Sequence, residues 1–462
     1  MNDRVVDDGR TPPPRFVSGS TMRHVVVMTA TASVGLLAIF FVDFLSLLYV
    51  SWLGEPAATA GVGFATVVFF FSISINIGLM IAVSAIVSRA LGAGERARAR
   101  ELAAAAMAIM SVASLVMSVL VIAALPAILP LLGAQGRAYE VAYRFLMIAL
   151  PSTVFMALGM GWSAVLRAVG DARRAMNVTL IGGAVSAVLD PILIFGLHLG
   201  PDGAAVSTVV SRIVFAWFGY RGAVLVHDLV ARPTLEGVRR HARAVIAIAG
   251  PAVLTNLASP VAIAFVTRTI AQFGDAVIAA SAIIDRVVPL AFGGIFALAG
   301  AVGPILGQNW GARRYDRMRS AFRDALLFVI IYVLCVWVAL VALRDVIAFV
   351  FAAADATADL IRLFAVISGP TWLFMGFLFT ANSAFNNLGF PFYATLFNWG
   401  RATAGTIPFA VAGASIGGAA GVMIGFTVGA ALFGVTAAIV AWRCIRRLER
   451  AAKPVEAAVA GS

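Results

Sequence analysis

Long apolar runs recur along almost the whole chain, and they restrict its fold more than any other feature. Each run has about 20 residues or more, enough for a helix to cross a bilayer core of roughly 30 Å. Hydrophobic residues make up 61% of the 462 residues and charged residues 12%, against about 25% charged residues in soluble domains. The sequence therefore predicts an all-α polytopic membrane protein. We count twelve spans: 25–53, 57–87, 101–125, 138–166, 177–199, 203–230, 244–273, 276–307, 324–351, 358–385, 393–414 and 418–442.

Charged residues between the spans predict how the chain is oriented in the membrane. Arginines collect after the second, fourth, sixth and eighth spans and at the C-terminus, whereas the intervening loops carry Glu55, Asp202, Asp275 and few arginines. By the positive-inside rule both termini are cytoplasmic, and we expect a multi-pass protein of the cell inner (plasma) membrane. The loop after the tenth span departs from the pattern, since it offers only Asn386 and Asn387. Topology thus accounts for the net charge of +12, and no nucleic-acid partner is expected.

Four short segments resemble later segments at offsets of 218 to 220 residues. The clearest pairs are "LGAGERARAR" with "WGARRYDRMR" and "GPDGAAV" with "GAAGVMI". An even number of helices per repeat predicts two pseudo-symmetric six-helix bundles related by an axis along the membrane normal. The predicted parts are a disordered cytoplasmic leader at 1–24, an N-terminal lobe at 25–231, a cytoplasmic linker at 232–243, a C-terminal lobe at 244–442 and a cytoplasmic tail at 443–462.

Two acids lie inside apolar runs of the N-terminal lobe. Asp43 and Asp190 each precede an acid of the outer loops, Glu55 and Asp202, by 12 residues. At about 1.5 Å per helical residue, both therefore lie on the order of 18 Å below the outer ends of their helices. An acid within a membrane span is costly and is kept for a function or a partner. We predict that both acids couple ion movement, with a structural ion pair as the alternative.

Three further polar residues share helix faces with this predicted site. Ser186 lies one turn before Asp190, and Thr208 lies one turn before Arg212 on the sixth span. Ser186 and Thr208 are candidate cation or substrate ligands, although interhelical packing is an equal alternative for such hydroxyls. Arg212 is a candidate countercharge for Asp190 or Asp43, and its alternative is snorkelling toward an interface. The sequence shows no catalytic constellation and no metal-ligand cluster.

Several segments together resemble the multidrug and toxic compound extrusion (MATE) family over residues 25–442. They are "VDFLSLLYVSWLG", "SRALGAGERARAR", "LRAVGD", "LDPILIFGLHLGPDGAAVSTVVSR" and "GQNWGARRYD". The acids on helices 1 and 5 make the chain similar to the DinF branch, whose polar site would correspond to Asp43, Ser186, Asp190 and Thr208. Ser186 stands where that branch has Asn, which weakens the case for a sodium site. Met28 stands where an early helix-1 proline is expected, which puts bending of that helix in doubt.

The resemblance implies a secondary active multidrug efflux antiporter that exports cationic or amphipathic small molecules. The expected coupling ion is the proton, with sodium as the alternative, and no other cofactor is expected. Partners would be drug-like cations and the lipid bilayer, and the chain would act as a monomer. The alternatives are a lipid-linked precursor flippase of the same superfamily and, from another class, a non-transporting membrane receptor or an enzyme.

Overall fold

A computed structural model describes residues 14–351, 353 and 355–460, and all regular structure in this part of the chain is helical. Proline and glycine interrupt several helices, so we group the helical segments into the twelve spans that cross the bundle. The first six are α1 Thr21–Ser51, α2 Pro56–Gly92, α3 Arg96–Leu131, α4 Gly136–Val169, α5 Ala172–Gly196 and α6 Pro201–Val226. The second six are α7 Leu235–Ala271, α8 Asp275–Gly311, α9 Tyr315–Val350, α10 Asp355–Asn387, α11 391–416 and α12 419–460.

The last two spans form a tight antiparallel pair. By length and composition the described chain contains eleven membrane-long stretches, and the last of these, Pro391–Ala452, includes both α11 and α12. The helix reverses at Gly417–Gly418, where Gly418 has φ 58°. Past this reversal the backbone of Gly421 packs on that of Gly413, an approach that a side chain at either position would block. The all-α fold with twelve spans is confirmed.

The internal repeat is visible in the backbone. Gly170 and Gly389 both have a left-handed backbone, with φ 91° and 86°. Gly200 precedes α6 with φ 57° and ψ −136°, and Gly418 precedes α12 with φ 58° and ψ −139°. These are two of the segment pairs that the sequence comparison singled out, and each pair adopts one conformation.

Helices α1–α6 and α7–α12 form two lobes that exchange their first helices. Helix α1 packs on α8 and α9, while α7 packs on α2 and α3. Val25 and Met28 of α1 accordingly belong to the core of the second lobe, and Val245 and Ile248 of α7 belong to that of the first. The reciprocal exchange is what a two-fold pseudo-axis between the lobes requires.

The lobes are joined at one end, which we call the terminal face because it carries the start of α1 and the end of α12. Arg89 Nη2 donates to the carbonyl oxygen of Asn387 at 2.9 Å, and Gln308 Nε2 donates to that of Ala168 at 2.6 Å. Each residue of the first bond precedes or follows its counterpart in the second by 219 residues, so the two bonds are equivalent under the repeat. Gly92 lies between them, where a Cβ would collide with the Gln308 backbone.

Hydrogen bonds between the lobes, within the described residues, all lie toward this terminal face. We call the Arg89–Asn387 and Gln308–Ala168 pair, with Gly92, the terminal seal. The exceptional loop after α10 is explained by this seal, because Asn386 and Asn387 are 2% and 3% exposed. Buried amides there take the place of the exposed arginines found in the other loops of this face.

The structure differs from the predicted leader and linker. Residues 1–13 of the leader lie outside the described residues, but Arg15–Val17 form a 3-10 turn and α1 begins at Thr21, where the Ser20 side chain caps it. Residues 14–24 are therefore ordered, because the side chain of Phe16 is buried between the lobes. The linker is shorter than predicted, since Thr234 caps α7 and the helix begins at Leu235.

Helix α5 is fixed at its terminal-face end by Asp171. The Asp171 carboxylate accepts the Arg174 backbone N–H at 3.1 Å and lies 2.9 Å from His227 Nε2. Burial alone would raise the pKa of Asp171, but hydrogen bonds from His227 and Arg174 hold its pKa well below the usual range. Asp171 therefore stays charged at neutral pH and anchors the helix that carries Asp190.

Candidate functional site

Asp190 is the most enclosed acid of the candidate site. Its side chain lies on α5 and is 1% exposed. Oδ2 accepts a hydrogen bond from the Ser46 hydroxyl of α1, and the Ser186 and Ser207 hydroxyls lie close to the same carboxylate. Oδ1 has no hydrogen-bond partner among the described residues. A buried carboxylate is thus surrounded by three neutral hydroxyls and keeps one oxygen free.

Local backbone irregularity accompanies Asp190. Pro191 follows it directly and cannot donate the next helical hydrogen bond. The helix then widens into a π-helical turn over Ile192–Gly196. Such turns are rare and are frequent at functional sites.

Asp43 is exposed on α1 and shares a helix face with Ser46, three residues further on. The charges of both Arg212 and Asp190 act on the Asp43 carboxylate, which locates the two acids in one group. Because Asp43 is accessible and Asp190 is enclosed, the two carboxylates occupy different environments. An accessible acid suits exchange with a ligand, and an enclosed one suits a single small ion.

Arg212 of α6 directs its guanidinium to neutral oxygens. Nη1 donates to the carbonyl oxygen of Ala149 at 2.9 Å and to the Ser152 hydroxyl at 3.0 Å. Both acceptors lie where Pro151 breaks α4 into a 3-10 turn. The guanidinium also lies over the ring of Phe69, 4.6 Å from its centroid. The predicted countercharge role is therefore limited to a through-space effect on Asp43, since the hydrogen bonds of Arg212 satisfy the α4 break.

Two predicted ligands are placed differently from each other. Ser186 is 9% exposed and lies beside Asp190. Thr208 instead donates to the carbonyl oxygen of Ala204 in its own helix, at 2.9 Å. Its neighbour Ser207 takes the predicted place at the carboxylate, and Ser207 Oγ also lies 3.5 Å from the Ser186 carbonyl oxygen.

Sequence reasoning missed Ser46 and Ser207. A signal for Ser46 was available, because a residue three positions after Asp43 lies on the same helix face. A signal for Ser207 was the pair Ser207 and Ser211, one turn apart, since Ser211 Oγ also donates to α5 through the Gly182 carbonyl oxygen at 2.6 Å. Small polar residues at this spacing are typical of a close helix interface.

A known family shares both the repeat and the fold. The family model MatE matches residues 32–192 and 251–411, two segments that begin 219 residues apart. The chain belongs to the MatE family. The solved MATE transporter VcmN of Vibrio cholerae (a mutant form) is 25% identical and superposes with a TM-score of 0.87, covering 93% of this chain and 97% of that chain. The two lobes of six helices are thus those of a MATE transporter.

Curated relatives of this MATE chain are named for transport. The FAD transporter of Shewanella oneidensis is 23% identical over 451 residues, which cover 96% of this chain and 98% of that protein. The multidrug export protein MepA of Staphylococcus haemolyticus is 27% identical over 263 residues, 55% of this chain and 57% of that protein. The MATE chain is therefore a multi-pass membrane transporter, and its relatives point away from an enzyme.

Proposed function

We propose that this MATE chain is a secondary active antiporter that exports cationic or amphipathic small molecules in exchange for protons. The observation that carries the proposal is the group of two acids in the N-terminal lobe, with Asp190 enclosed by hydroxyls and Asp43 accessible. Of the branches of the family, this group fits the DinF branch, because both acids lie on α1 and α5.

The environment of each acid determines its chemistry. A protonated carboxyl is neutral and can be buried at modest cost, whereas an unpaired carboxylate in an apolar lobe is costly. A proton entering from outside would neutralise Asp43 and remove the attraction that holds a cationic substrate. Loss of that proton to the cytoplasm restores the negative charge, and the acid again favours a cation. Proton and substrate then exclude each other, which is what antiport requires.

Alternating access would use the joined ends of the lobes. The charge pattern places both termini in the cytoplasm of a cell whose inner membrane holds the chain, so the terminal seal would be the cytoplasmic closure. With the seal formed, the lobes are held together on that side and the acids communicate with the outside. Breaking the Arg89–Asn387 and Gln308–Ala168 hydrogen bonds would reverse the access.

The proton is favoured over sodium by the ligands around Asp190. Sodium would need several oxygen ligands around a carboxylate that stays charged, and Asp190 has hydroxyls as neighbours and no side-chain carbonyl. Ser186 occupies the position where the resemblance predicts Asn. Inverted vesicles that contain the full chain test this assignment, with ethidium as substrate and either a pH gradient or a sodium gradient. Efflux driven by the pH gradient without sodium is expected, and efflux that requires sodium would refute proton coupling.

A second substrate class is suggested by one relative and one residue. The FAD transporter aligns with nearly the whole chain, and Arg212 brings a cation into the same lobe with only neutral hydrogen-bond acceptors. A flavin dinucleotide carries phosphates that an arginine favours. Proteoliposomes assayed in parallel with FAD and with ethidium separate the two classes. Movement of an undecaprenyl-linked lipid in place of both would instead identify a flippase, and movement of none would point to a non-transporting role. A monomer is expected to suffice in these liposomes.

A further inference from the structure

A short segment before α1 crosses the seam between the lobes. We call residues 14–20 the N-terminal strap. Its 3-10 turn Arg15–Val17 buries Phe16, whose side chain is 1% exposed. On the N-terminal-lobe side, Gly170 lies directly against the strap, since a Cβ built there would be 3.2 Å from the Phe16 ring and 2.7 Å from Arg15. Gly170 has φ 91°, so a larger residue would be disfavoured there for two reasons.

The C-terminal lobe holds the backbone of the strap. Phe16 N–H donates to Gln308 Oε1 at 2.8 Å. The Phe16 carbonyl oxygen accepts from Asn309 Nδ2 at 3.1 Å and from Arg317 Nη2 at 3.0 Å. Both polar backbone groups of a buried residue are thus satisfied by the opposite lobe. A segment that merely lay on the surface would bond to water instead.

Gln308 connects the strap to the terminal seal. Its amide oxygen accepts from Phe16, and its amide nitrogen donates to Ala168 of α4. One buried side chain, 1% exposed, therefore joins the strap, the N-terminal lobe and α8. Its repeat counterpart Arg89 donates to Asn387 and lies over the ring of Trp310, 3.8 Å from the centroid. No described part of the 227–234 segment reaches Arg89 as the strap reaches Gln308, so the strap makes the two halves of the seal unequal.

We propose that the strap is a latch that holds the terminal face closed. The lobes cannot separate there while Phe16 lies between Gly170 and Gln308, because separation would expose the Phe16 ring and leave its N–H and carbonyl groups without partners. The strap must leave this position before the terminal seal opens. The inference rests on the proposed alternating access, and it adds a regulatory step outside the acid pair.

Ser88 provides a reporter for the opening of the seal. It is 0% exposed on α2, and its hydroxyl packs against Gly307 of α8 at the contact between the lobes. The parent for the test is the full chain with Ser88→Cys, and with both natural cysteines, Cys335 and Cys444, replaced by alanine. Reaction of the new thiol with a membrane-impermeant maleimide in nanodiscs then measures how often this contact opens. The assay needs no transported substrate, so it remains valid even if the proposed antiport fails.

Phe16→Ala in this parent is expected to raise the labelling rate by about tenfold, since the anchor that closes the contact is removed. The matched control is Phe349→Ala, because Phe349 is 85% exposed and lies far along α9; its labelling rate should equal that of the parent. A parental rate in folded Phe16→Ala would overturn the latch, and so would an equal rise in the control. If Phe16→Ala does not fold, Gln308→Leu carries the same test: faster labelling supports the latch, and a parental rate overturns it.

Discussion

Replacing Ser46 with alanine tests the environment of Asp190 without removing an acid. The Ser46 hydroxyl donates to Asp190 Oδ2, and Oδ1 has no hydrogen-bond partner among the described residues. A hydrogen bond to a charged group contributes about 1.5–3 kcal/mol. Since about 1.36 kcal/mol corresponds to one pH unit in a protonation equilibrium, the loss should make deprotonation harder by about one to two units. The pH at which efflux is half-maximal should therefore rise by that amount.

The assay is ethidium efflux from proteoliposomes over a pH series, with the protein amount per liposome matched. Ser33→Ala is the control, because Ser33 lies on the same helix and donates only to its own helix, to the Thr29 carbonyl oxygen at 2.8 Å. The control should keep the parental pH profile. If Ser46→Ala and Ser33→Ala give the same profile while both are folded, the hydrogen bond to Asp190 has no part in coupling and the reasoning is refuted.

Three further variants test the frame around the site. Arg212→Ala leaves two buried acceptors unpaired and should lower stability by about 1–3 kcal/mol and change the pH profile of efflux, whereas Arg212→Lys should restore part of both; a profile unchanged in both variants would make Arg212 purely structural. Gly92→Ala places a Cβ against the Gln308 backbone and should cost about 1–3 kcal/mol through overpacking, measured by thermal unfolding against Gly63→Ala, whose added Cβ meets nothing within 4 Å; equal melting temperatures would refute a close crossing. Asp171→Ala removes a helix cap and should cost about 1 kcal/mol at neutral pH. Because hydrogen bonds lower the pKa of Asp171, this stability is present above the ordinary aspartate pKa of about 4 and fades as pH falls below it, so a difference from the parent that persists in strong acid would contradict the cap.

Sequence reasoning reached the fold because hydrophobicity and glycine carry it directly. Long apolar runs reveal the spans without any knowledge of packing. Gly170, Gly389, Gly200 and Gly418 identified the repeat because a left-handed backbone restricts the residue type, so the same residue recurs in both halves. Asp43 and Asp190 stood out because acids are rare in spans.

The remaining features depend on how the helices are rotated about their axes. Thr208 and Ser207 are neighbours in sequence, and only the orientation of α6 decides that Ser207 lies at Asp190 while Thr208 bonds to its own helix. The strap around Phe16 was missed for a different reason. A polar, proline-rich segment predicts disorder, and its order comes from Gln308, a residue 292 positions away.

Drug-driven proton movement tests the central proposal, that Asp43 and Asp190 couple the two fluxes. Proteoliposomes with an internal pH-sensitive dye receive an ethidium gradient, and the proton counterflow is compared among Asp43→Asn, Asp190→Asn and the control Asp285→Asn, an exposed acid of the other lobe. We predict that the parent and Asp285→Asn move protons against ethidium and that neither Asp43→Asn nor Asp190→Asn does. Parental proton counterflow in both of these variants would contradict the account.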